Sequence, residues 1–253
     1  MQAADATTGG GLPGPATLGP FRCWAGRMAL ERTPEPELMD DLEQVRAYAA
    51  ADFNDSDQAM CERLAELCGG DPGPQLVDLG CGPGNVTFRL ARRWPDATVL
   101  GLDGAPQMLA AARQRAAIEP ELVGRLLFEQ ALLPIVDPGE REGAFSMVVS
   151  NSLLHHLHEP AVLWQAVAQL AAPGAFVYIQ DLRRPASPEA VEALVDSQTE
   201  GAPEVLRRDY RVSLHAAFTV AEVEQQLHRA GLGAQLQAAP RQERYLEVWG
   251  RLV

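Results

Sequence analysis

The sequence predicts an α/β fold: seven strands in one mostly parallel sheet, helices on both faces, helical lid elements and a C-terminal antiparallel hairpin. Three observations predict it. Short apolar runs at about 75–80, 97–102, 125–129, 144–150 and 174–181 have helical patterns between most of them, at about 85–93, 105–117 and 160–171. Strands that alternate with helices make a parallel sheet. The first run ends on an acid and then meets glycine at every second position, Asp78-Leu79-Gly80-Cys81-Gly82-Pro83-Gly84. The last two runs, about 234–239 and 243–250, have only Pro240 and its neighbours between them, which suits a hairpin at the sheet edge and not a crossover.

Taken in order, residues 1–36 are rich in Gly, Pro, Ala and Thr without periodicity and read as a disordered tail, with Met28 resembling a fresh start. A folded domain is expected over 37–253, opening with a helical cover at 37–70. There Leu38, Leu42, Val45 and Tyr48 share one face, and Ala59, Leu64 and Leu67 another. Cys68-Gly69-Gly70-Asp71-Pro72 stops this helical region with a glycine cap and a proline. Residues 182–218 interrupt the alternation with Pro185, Pro188 and Pro203 and a helical piece near 188–199. An excursion at the carboxyl end of a strand is either a lid or a packing loop, and the position favours a lid. The helix at 219–230 has Thr219 as its N-cap and Gly231 at its end.

Composition narrows the partners. With 34 acidic against 21 basic residues the chain carries a formal charge of −13, which repels nucleic-acid backbones and anionic membranes. A small molecule is favoured, no membrane insertion is expected, and oligomeric state stays open. Cys23, Cys61, Cys68 and Cys81 form no C-x-x-C pair, so reduced thiols in a cytoplasmic protein are expected. No apolar run approaches the roughly twenty residues that span a bilayer, and no secretory signal is evident.

Chemistry concentrates at the glycine turn. Gly80, Gly82 and Gly84 let a ligand lie against bare backbone at a helix N-terminus. A dinucleotide fingerprint places its third glycine one residue later, as G-x-G-x-x-G, whereas the spacing here is G-x-G-x-G with the acid before it. The second run ends at Asp103, placed to take both hydroxyls of a ribose, which by itself says adenosine.

LVDLGCGPGN, GLDGAPQMLAAAR, VVSNSLLHHLHEP and GAFVYIQDLRRP occur in this order. Together they resemble the class I S-adenosylmethionine (SAM)-dependent methyltransferases, and within them the small-molecule branch that includes the ubiquinone/menaquinone-biosynthesis enzymes. The resemblance covers about residues 75–180. It implies a Rossmann-like sheet, SAM as cofactor, and methyl transfer to a small organic molecule by in-line displacement with release of S-adenosylhomocysteine (SAH). It further implies that Gly80, Gly82 and Gly84 border the methionine part of SAM and that Asp78 holds the turn and the amino group, directly or through water. Asp103 takes the ribose, Met108 packs on adenine, and Asn151 borders the methionine part and the reaction pocket. The family often has an acid at the third strand tip; this chain has Gln130, whose amide oxygen can still accept.

A base is needed only for an acceptor that arrives protonated. His155 and His156 are the catalytic candidates, with packing or substrate contact as the alternative for each. His215 reads as a half-buried helix residue. Asp181, Arg183 and Arg184 either face the substrate or are solvated lid charges, and Tyr48 and Phe53 either cover the methionine end or are core. The spacing of His155, His156 and His158 is poor for a metal and no cysteine joins them, so no metal is expected. The competing readings are a protein-directed methyltransferase, an NAD-dependent oxidoreductase and a non-catalytic SAM-binding scaffold acting through a partner.

Overall fold

A computed structural model describes residues 30–253. Met28, Cys23 and most of the expected tail lie outside those residues. The first elements are helices α1 (Leu42–Ala50) and α2 (Asn54–Cys68). Then follow β1 (Gln75–Leu79), α3 (Asn85–Arg93), β2 (Thr98–Asp103), α4 (Pro106–Ala116), β3 (Leu126–Gln130), β4 (Phe145–Asn151), α5 (Ala161–Leu170) and β5 (Ala171–Leu182). The chain closes with α6 (Pro188–Gln198), α7 (Glu204–Ala216), α8 (Val220–Arg229), β6 (Leu236–Arg241) and β7 (Tyr245–Arg251).

The seven strands lie in the order β3-β2-β1-β4-β5-β7-β6. β1 to β5 run parallel, and β7 enters antiparallel between β5 and β6 as the expected hairpin. Strand order reverses at β1 and β4, and a crevice opens where neighbouring crossovers leave in opposite directions. Alternation along each strand sorts the core into two layers. Val77, Leu79, Val148, Val177 and Ile179 pack with Trp164 of α5 and Val223 of α8. Leu76, Val99, Met147 and Tyr178 pack with Met60 of α2, Phe88 of α3 and Leu109 of α4.

Local chemistry sets the helix ends. Gly69 ends α2 in the left-handed region at φ +73°. Ser187 caps α6 with Pro188 behind it, and Thr219 and Glu222 close a reciprocal capping box on α8. In the 182–218 stretch the helix expected at His215 is longer than a short one and forms α7. It packs Leu214 with Leu194, Val195 and Tyr245 in a satellite core beyond the carboxyl ends of the strands.

The tail boundary at residue 36 requires correction. From Leu30 the chain is extended and held. The Thr33 N–H donates to the His215 carbonyl at 3.0 Å. Arg32 donates to the carbonyls of Ala216, His155 and Leu157 at 2.6, 3.0 and 2.9 Å, and its guanidinium lies 4.0 Å from the centre of the Phe218 ring. Glu35 is buried. Local composition reads as disorder because all these partners lie more than a hundred residues away.

Candidate active site

One cavity of about 950 Å³ opens at the carboxyl ends of β1, β2 and β4. That is the upper end of the roughly 300–1,000 Å³ of small-molecule sites, room enough for two small molecules side by side. Its floor is the turn after β1. Gly80, Gly82 and Gly84 have φ of +69°, +52° and +84°, where any side chain is strained. Gly80 and Gly82 line the cavity. Gly84 does not: it caps α3, and a Cβ there would come 2.9 Å from both Phe88 and Phe128. The third glycine serves helix–sheet packing.

Asp78 is buried beneath the turn, and its Oδ2 accepts from the Thr87 hydroxyl at 2.7 Å. Burial raises its pKa to about 7, against the lowering effect of Thr87. Thr87, absent from the sequence-level candidates, ties the β1 acid to α3. At the tip of β2, Asp103 accepts the Gly82 amide at 2.7 Å and the Ala105 amide at 2.8 Å. Burial raises its pKa too, opposed by those amides. Met108 lies buried against the cavity, next to Val45 and Ala105.

Gln130 is not brought in. It sits at the tip of β3, but its amide donates to the Gly104 carbonyl at 3.0 Å, and Ala131, Leu132 and Leu133 form that wall. Asn151, at the tip of β4, lines the cavity and accepts from Gln180 at 3.3 Å. Ser152 beside it holds φ +58°, uncommon for a residue with a side chain, and also lines the cavity.

The opposite wall is built from Tyr48, Phe53, the 198–203 turn, Asp209 and Tyr210 of α7, and the two histidines. Tyr48 and Phe53 pack with their rings tilted by 39° and ring centres 4.8 Å apart. His155 and His156 lie in a short 3-10 turn, Leu154–His156, and both are buried. The His155 Nδ1 donates to Asp181 at 2.6 Å, and the other Asp181 oxygen accepts the Leu154 amide at 2.7 Å. Burial pulls the His155 pKa down, but Asp181 and Glu35 outweigh it and the net shift is upward. His156 falls well below the ordinary imidazole value through burial and the neighbouring His155. Glu35 is raised by burial.

Other candidates resolve as structural. Arg184 is buried on Glu222 and the Ala217 carbonyl, Arg183 donates to the Glu243 carbonyl, and the exposed His158 donates to the Glu35 carbonyl. His215, on α7, is outside the cavity wall. Cys61, Cys68 and Cys81 are free and buried. Among the described residues no helix is long and apolar enough to cross a membrane.

Residues 77–177 match the family described as Methyltransferase domain. The trans-aconitate 2-methyltransferase of Methylobacterium nodulans is 41% identical over 106 residues, 42% of this chain and 37% of that protein. The enzyme of the same name from Deinococcus radiodurans is 36% identical over 128 residues, 51% of this chain and 45% of its own. The matches thus span less than half the length of these curated relatives. A SAM-dependent methyltransferase from Aquifex aeolicus superposes with a TM-score of 0.61 at 16% identity, over 84% of this chain and 99% of that one. The plantazolicin methyltransferase BpumL, solved with a pentazolic desmethylPZN analog and SAH, gives 0.64 at 14% identity over 84% and 91%. Residues 77–177 thus match a methyltransferase domain, within a fold shared with solved SAM-dependent methyltransferases.

Proposed function

We propose that the chain moves a methyl group from SAM to a small organic molecule in the cavity and releases SAH. One observation carries the reading: a single cavity joins the Asp78–Gly82 turn, Asp103 and Met108 to a separate wall of Asn151, His155, His156 and α7. The first set fits SAM. Bare turn backbone at a helix start suits the amino-acid end, Asp103 retains acceptor capacity for a ribose, and buried Met108 offers an apolar face for adenine. SAM supplies an activated methyl on sulfur. The protein's part is to hold acceptor and sulfonium in line and keep water out. His155 and His156 are the candidate proton acceptors, and residues 37–70 and 182–218 act as covers over residues 37–253 as one domain.

The acceptor class follows from charge. Glu37, Asp52, Asp55, Asp57, Glu200 and Asp209 line the cavity in addition to Asp78 and Asp103, and Arg244 is the only Arg or Lys among its described lining residues. A tricarboxylate such as the trans-aconitate named for the relatives meets a wall of its own sign, so a neutral or cationic acceptor is favoured.

Thermal-shift titration with SAM, SAH and NAD tests the cofactor. At about a hundred times its Kd a ligand adds roughly 2.7 kcal/mol, several degrees for this size. Shifts with SAM and SAH and none with NAD are expected; absence of both sulfur shifts sinks the proposal. Transfer of labelled methyl to an amine library, with trans-aconitate alongside, tests the acceptor class. Preferential turnover of trans-aconitate overturns the charge argument while leaving the cofactor reading intact.

A further inference from the structure

Beside the acceptor wall, three side chains turn lone pairs toward one point. Glu35 Oε1 lies 3.3 Å from His156 Nδ1 and 3.5 Å from His155 Nε2. Glu35 and His156 are more than nine-tenths buried, and neither Glu35 Oε1 nor His156 Nδ1 makes a hydrogen bond despite the short separation. The three ligand atoms lie within 4.8 Å of one another. Four-coordinate zinc holds N and O ligands at about 2.1 Å, which puts tetrahedral ligand edges at about 3.4 Å. The two edges that meet at Glu35 already have that length.

Each of the three groups is also held from behind by a different partner. Asp181 takes the His155 Nδ1 proton at 2.6 Å, leaving Nε2 to face Glu35. The Ser213 hydroxyl donates to Glu35 Oε2 at 3.2 Å, leaving Oε1 to face the histidines. The His156 ring lies against the Pro36 backbone, which has only a carbonyl to offer, and that contact favours a proton on the ring. Outer partners of this kind fix the tautomer and aim of metal-binding imidazoles and carboxylates. Buried polar atoms are ordinarily paired, so two orphans side by side need a common partner.

We propose that Glu35, His155 and His156 bind a divalent transition metal ion of the zinc or cobalt type in the wall of the cavity. Two imidazoles and one carboxylate suit such an ion better than calcium or magnesium, which take oxygen sets. Three protein ligands leave a fourth position, and both histidines line the cavity. The poor sequence spacing of the histidines loses its force here, because the third ligand comes from the far N-terminal segment. The site does not depend on the methyl-transfer reading, but an imidazole bound to the ion keeps no lone pair, so the ion and the proton-acceptor role of these histidines exclude one another.

The test uses the untagged full chain, stripped with chelator and titrated with Co²⁺. The expected result is one equivalent bound with visible d–d absorption, displaced by Zn²⁺. Glu35→Gln and His156→Asn each weaken Co²⁺ at least a hundredfold while the SAH thermal shift persists. Should either variant fail to fold, Ser213→Ala removes only the hydroxyl behind Glu35 and is expected to weaken Co²⁺ about tenfold. No stoichiometric binding by the parent chain, or binding unchanged in the variants that fold, overturns the proposal and leaves an ion-paired carboxylate–histidine cluster. Loss of the SAH shift in the parent chain is a separate failure, that of the cofactor reading.

Discussion

The Asp103 carboxylate accepts the Gly82 amide at 2.7 Å, tying the tip of β2 to the middle of the turn after β1. The acid proposed for the ribose is therefore also a brace for the floor beneath it. Asp103→Ala strands the Gly82 and Ala105 amides, and at roughly 1–3 kcal/mol per unsatisfied buried donor a loss of about 2–4 kcal/mol in urea unfolding is expected. Asp103→Asn keeps an acceptor oxygen. It is expected to recover most of that stability and still bind SAH at least tenfold more weakly by calorimetry. Parent-like SAH affinity in Asp103→Asn removes the ribose role.

Two glycines of one turn are expected to fail differently. Gly84→Ala forces a left-handed φ and a Cβ 2.9 Å from Phe88 and Phe128. It should cost about 2–3 kcal/mol, combining backbone strain with overpacking. Gly82→Ala has the strain but nothing within 4 Å of the new Cβ. It should cost about 1–2 kcal/mol and weaken SAH more than Gly84→Ala does, since Gly82 faces the cavity. Unfolding and calorimetry on both variants separate the effects.

Cofactor affinity should depend on pH through Asp78. Its folded pKa of about 7 lies above the ordinary 3.8, so its contribution to stability is fully present below the unfolded value and is lost as pH rises through 7. A bound ammonium group favours the carboxylate form. SAH affinity is then expected to fall by up to about tenfold per pH unit below 7, and to flatten above it. Calorimetry between pH 5.5 and 8.5 checks this, and Asp78→Asn should erase the slope. Thr87→Val, which removes the hydroxyl bond that lowers the pKa, should move the inflection upward.

How much of this was legible varies with distance along the chain. The strand tips carrying Asp103 and Asn151, and buried Met108 just beyond, were readable because strand, turn and helix are local patterns. Gln130 shows the limit: its position at a strand tip was right, yet its amide turned to Gly104, a rotamer choice no pattern encodes. Glu35 was hidden for another reason. Its partner Ser213 lies 178 residues away, and the segment around it has the proline-rich composition of a tail. α7 was legible only around His215, and its first two turns, from Glu204, were not.

The same segment makes a prediction about stability. Arg32 donates to three carbonyls on two separate parts of the chain. Arg32→Ala is expected to lower stability by about 2–3 kcal/mol, more than the roughly 0.5 kcal/mol typical of a surface substitution. Equilibrium urea unfolding measures it, and an unchanged midpoint refutes the docking of residues 30–36.

Arg32 and its Ala216 acceptor lie 184 residues apart. On a ribosome adding roughly 5–20 residues per second, the Arg32 segment waits some 10–40 s before that acceptor is made. The sheet strands β1 to β5 can pair in the meantime, so the earliest-made of the described residues settle after strands that follow them in the chain. Until they do, His155 and His156 have neither Glu35 nor the Pro36 carbonyl beside them. A nascent chain therefore acquires its cofactor floor well before its acceptor wall is complete.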